Sequence, residues 1–74
     1  MKITKLAKDQ NSGGNGCPTV YLGETGELVI QGAQVDVDTF GQLDNVLPGE
    51  NAVRISSDVV VRAVELYLAQ AGRE

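Results

Sequence analysis

The segment from Asp58 to Ala71 carries more apolar surface than one side of a helix can bury. It reads Asp-Val-Val-Val-Arg-Ala-Val-Glu-Leu-Tyr-Leu-Ala-Gln-Ala. At about 100° per residue, Asp58, Arg62, Glu65 and Ala69 share one narrow stripe. The remaining positions are almost all apolar and spread over roughly 220° of the helix, whereas a surface helix needs a stripe of about 100° or slightly more. Such a helix packs on two sides. One side belongs to the chain's own sheet. The other is predicted to meet a second chain, with Val61, Val64, Tyr67, Leu68 and Ala71 as interface residues and a homodimer as the assembly.

The length favours the same reading. Seventy-four residues make one domain, 1–74, and a chain this short buries only about 60% of the surface it exposes unfolded. Small domains offset a marginal core with disulfides, metals or partners. Cys17 is the only cysteine and there is no histidine, so one chain holds neither an internal disulfide nor the roughly four Cys or His ligands of a structural zinc site. Association with a partner is the support that remains.

The net charge of −4 argues against general nucleic-acid binding, which needs a basic face. The charge is unevenly placed. Lys2, Lys5 and Lys8 precede the first acid, Asp9, and every other acid follows it. DNA contact through that lysine arm is an alternative reading; a solvated first strand accounts for the same residues. No apolar run approaches the roughly 20 residues of a membrane span, and no hydrophobic core follows the first lysines as in a signal peptide. A cytoplasmic protein with a reduced thiol is expected.

Residues 1–16 read as an arm or edge strand, with Ile3 and Leu6 apolar, followed by a Gly-rich loop from Gln10 to Gly16. Pro18 fixes the backbone at the start of the next element. Thr19–Leu22 and Glu27–Gln31 are β-branched and apolar, and the turn Gly23-Glu24-Thr25-Gly26 joins them as a hairpin. Gly32 interrupts, permitting a bulge or tight turn, and Gln34–Val37 alternates as a further strand. Asp38 is the expected N-cap of a short helix over 39–46, with Phe40, Leu43 and Leu47 on one buried stripe and Gly41 weakening it by about 1 kcal/mol. A turn at Pro48-Gly49-Glu50-Asn51 leads to a strand over 52–55. Ser56 or Ser57 caps the last helix, Asp58 favours its dipole, and Gly72 stops it. The fold class is α+β: a small antiparallel sheet of three to four strands, with a short helix and a C-terminal helix packed on one face.

Chemical motifs are incomplete. The Gly-rich loop lacks the lysine and following helix of a phosphate-binding loop. Cys17 has no histidine to lower its pKa, so a buried structural thiol accounts for it better than a nucleophile. Asp36 and Asp38 begin like a calcium loop, but Phe40 stands at its fifth position and Leu47 at its twelfth. Asp44 and Glu50 flank the later turn, and the loop with these acids makes a small-ligand or metal binder the other alternative. No catalytic, cofactor or metal residues are assigned. Of the three aromatics, Tyr67 lies opposite the polar stripe, where a buried ring would need a partner for its hydroxyl.

Cys17-Pro18-Thr19-Val20-Tyr21, followed by Gly26-Glu27-Leu28-Val29-Ile30-Gln31-Gly32, resembles a pattern in small actinobacterial proteins. The chain is similar in size and layout to the BldB-like group of small acidic proteins, often encoded beside helix-turn-helix regulators. The resemblance implies an accessory regulatory role through protein contacts, with a DNA-binding regulator as a possible partner class and no catalysis. It assigns no functional residues.

Overall fold

The computed structural model of the chain describes residues 1–10 and 18–71; most of the Gly-rich loop, Cys17 and the helix stop at Gly72 lie outside the described residues. The fold is α+β. Strand β1 (Ile3–Lys8) pairs antiparallel with β2 (Thr19–Gly23), which pairs antiparallel with β3 (Leu28–Gln31). A short hairpin-like pair follows, β4 (Ala33–Gln34) with β5 (Val53–Arg54), as a separate two-stranded sheet. Helix α1 (Val37–Phe40) lies between these two strands in the chain, and α2 (Ser57–Ala71) closes it.

The β2–β3 hairpin forms as its sequence dictates. Gly26 N–H donates to the Gly23 carbonyl at 3.0 Å and Gly23 N–H to the Glu27 carbonyl at 2.8 Å, closing a three-residue loop. The last loop residue must adopt a left-handed conformation, and Gly26 does so with φ of 92°. Gly32 serves a close approach instead. A Cβ there would stand 2.7 Å from the Arg54 carbonyl oxygen, so only glycine lets the chain leave β3 and pair with β5.

The register of β1 slips between Lys5 and Ala7, so Leu6 is an extra residue of a bulge. Simple alternation would turn Leu6 and Ala7 to opposite faces. The bulge lets both be buried. They join Val20 from β2 and Val59 and Ala63 from α2 in the core, with Leu22 and Ile55 packed against it.

The middle of the chain departs from the sequence expectations. The short helix is one turn, capped by Asp36 rather than Asp38: the Asp36 carboxylate accepts from Thr39 N–H at 2.7 Å. That bond also ends the preceding strand early, since Asp36 and Val37 are committed to the helix start. Beyond Gly41 the bonds tighten from four-residue to three-residue spacing, Gln42 N–H to the Thr39 carbonyl and Leu43 N–H to the Phe40 carbonyl, and Asn45 at φ 50° breaks the run before 46. The stripe of Phe40, Leu43 and Leu47 is not a buried one: α1 has no buried residue, and Leu43 and Leu47 are exposed. The Pro48-Gly49 turn forms, with Glu50 N–H donating to the Leu47 carbonyl and the Glu50 carboxylate accepting from Leu47 N–H.

The radius of gyration is 13.8 Å, against about 11 Å for a compact domain of this length. Among the described residues no helix is long and apolar enough to cross a membrane.

Candidate docking surface

Ser56 opens α2. Its carbonyl accepts from Val59 and Val60 N–H, and its hydroxyl donates to the Asp58 carboxylate. That hydrogen bond is the main reason the Asp58 carboxyl sits below the usual carboxylate range, with the Arg62 charge adding in the same direction. The Asp36 carboxyl is lowered likewise, by its bonds to Thr39.

Helix α2 packs on β1 and β2. Arg62 fixes how it is turned about its axis. The guanidinium crosses to β1 and donates to the Lys8 carbonyl at 3.0 Å, while Val59 and Ala63 on the adjoining stripe are buried against the sheet. Tyr67, Gln70 and Ala71 lie beside Leu22, Gly23, Glu24 and Gly26, lining a groove of about 410 Å³ over the hairpin end. The helix therefore runs antiparallel to β1, with its C-terminal end above the β2–β3 turn.

All five residues expected at an interface are exposed on this helix. Val61 and Leu68 are more than half exposed, at 56% and 59%, and Val64, Tyr67 and Ala71 are exposed too. Tyr67 is a rim residue, 36% exposed, rather than the buried ring expected from the wheel. On the helical wheel Val60, Val61, Val64, Tyr67, Leu68 and Ala71 occupy one arc without a charged residue.

The sheet contributes a second half that the sequence reading missed. Val20 stands opposite Ile30, and Leu22 opposite Leu28, so all four side chains share the face that α2 covers. Yet Val20 is 1% exposed, and Leu28 and Ile30 are 41% and 42% exposed. Strands lie about 4.8 Å apart and a helix with its side chains is about 10 Å wide, so one helix covers two strands. The third is left bare. Three strands under one long helix, both legible in the sequence, already imply an uncovered strand by these widths.

Among the described residues the acids do not assemble a metal centre. The Asp36 and Glu50 carboxylates are engaged by Thr39 N–H and Leu47 N–H, and among the described residues no three His, Cys, Asp or Glu side chains converge. A second groove, of about 620 Å³, lies between Val35, Val37, Phe40 and Asn51, away from α2. The lysines of β1 are exposed along one strand. No protein-family model matches the chain, and neither a curated protein nor a solved structure does.

Proposed function

We propose that the protein is a non-enzymatic interaction module that self-associates through the outer side of α2. The observation that carries this reading is the uncharged apolar arc of that helix, held outward by the Arg62 bond to β1. Large exposed apolar patches on small soluble domains mark protein contacts. The surface area agrees. The chain exposes 5713 Å², where a compact monomer of 7.8 kDa exposes about 4,400 Å². The surplus exceeds the roughly 800 Å² that each partner contributes to a standard interface. The uniformly exposed stretch 41–51 contributes to it, and so do the exposed Leu28, Ile30, Val61 and Leu68.

The resemblance to the BldB-like group adds a regulatory setting to this reading, with a DNA-binding regulator as a further partner and a cytoplasmic location. The acidic surface suits a basic partner, because opposite charge raises the rate of encounter. Leu68→Glu tests the reading by sedimentation equilibrium. The wild type is expected to associate and the variant to remain a folded monomer. A wild type that is monomeric throughout the concentration range defeats it.

A further inference from the structure

We infer that the bare strip over β3 is filled by α2 of a second copy, the two chains packing face to face with both helices side by side between two sheets. This rests on the self-association just proposed and specifies its geometry.

Leu28 and Ile30 face the helix layer, but α2 lies over β1 and β2, and the one-turn α1 buries nothing. Packed helices lie about 8–10 Å apart. A second helix at that distance from α2 sits over β3, about one and a half strand spacings from the line between β1 and β2. It would rest on Leu28 and Ile30.

The shape of α2 fits that place. One flank, Val59 and Ala63, is buried on its own sheet. In the face-to-face arrangement Val60, Val64 and Tyr67 meet the neighbouring helix, and Val61 and Leu68 meet the second copy's β3. These three contacts account for most of the roughly 220° apolar arc, leaving the stripe of Asp58, Glu65 and Ala69, with the half-exposed Leu66 beside Arg62, to solvent. A two-fold axis between the helices makes the contact self-complementary, as a closed dimer requires.

Charge permits it. Each chain carries −4, but Leu28–Gln31 and the outer arc of α2 hold no charged residue, so no like charges are buried together. The opposite edge of the sheet differs: β1 carries Lys5 and Lys8, and Arg62 is anchored beside it. Edge lysines discourage pairing with another chain, so assembly is directed to the β3 side.

A single engineered thiol tests the inference. In a Cys17→Ser background, Ile30→Cys is labelled with a thiol reagent, with and without Leu68→Glu. If the strip is covered, labelling in the assembled protein is about tenfold slower or more than in the Leu68→Glu monomer, because the reagent must wait for opening. Val37→Cys, on an exposed position away from the strip, should label at one rate in both. Equal rates at Ile30→Cys in a protein that is still a dimer overturn this geometry and leave self-association standing. A folded Ile30→Cys that no longer associates, where the Cys17→Ser parent does, also supports a covered strip. A monomeric parent overturns both.

Discussion

Val20 and Ile30 are β-branched neighbours across one ladder, pointing to the same face of the same sheet, and only Val20 is buried. Residue type and strand position do not distinguish them. The helix above does. Over β1 and β2 the sheet is finished within the chain: the bulge turns Leu6 and Ala7 inward, Arg62 pins the helix to the Lys8 carbonyl, and Val59 and Ala63 fill the layer. Over β3 the same apolar face stops at solvent. On the self-association proposed above, the core of so small a chain is half of a larger one.

The largest expected effect comes from breaking the open half. Leu68→Glu places a carboxylate in the apolar contact and should raise the dimer dissociation constant about a hundredfold or more, counting roughly 2–3 kcal/mol for the lost burial and desolvated charge. Sedimentation over a dilution series reads it. Next is the closed half: Val20→Ala removes two buried methyl groups and should lower the unfolding free energy by about 2 kcal/mol in urea titrations. This loss should be the same in the wild type and in the Leu68→Glu background, because that core is internal. Ile30→Ala sharpens the comparison. In the monomeric background it should cost much less than Val20→Ala, and in the dimer its cost should rise; equal costs in both states would mean β3 is bare in both.

The smallest effect is at the start of α2. The folded state lowers the Asp58 pKa, chiefly through the Ser56 hydrogen bond. A lowered folded-state pKa adds stability above the unfolded-state value and loses it as pH falls through the folded one. Asp58→Asn should therefore reduce Tm slightly at neutral pH, with the difference from wild type closing below about pH 4. A difference that persisted unchanged into acid would assign the effect to something other than the ionised carboxylate.

What the sequence made legible was local or periodic. The hairpin was visible from Gly23 to Gly26 because a three-residue turn needs its glycine at the left-handed position. The final helix was visible from its long apolar period, and its outward residues from the polar stripe. Short-range competition hid the rest. Asp36 and Asp38 are both good caps two residues apart, and only the Asp36 bond to Thr39 decides between them. The Leu6 bulge leaves no mark in a strand already irregular with lysines. The exposure of Leu28 and Ile30 is not written in their strand, because burial there depends on where a helix distant in sequence comes to lie.

The central claim is that a second chain completes the helix layer. Static light scattering of the wild type over a wide concentration range tests it most directly. A mass near twice the 7.8 kDa of one chain, falling to the single-chain mass only on strong dilution, is the predicted result. A constant single-chain mass across the range would contradict it.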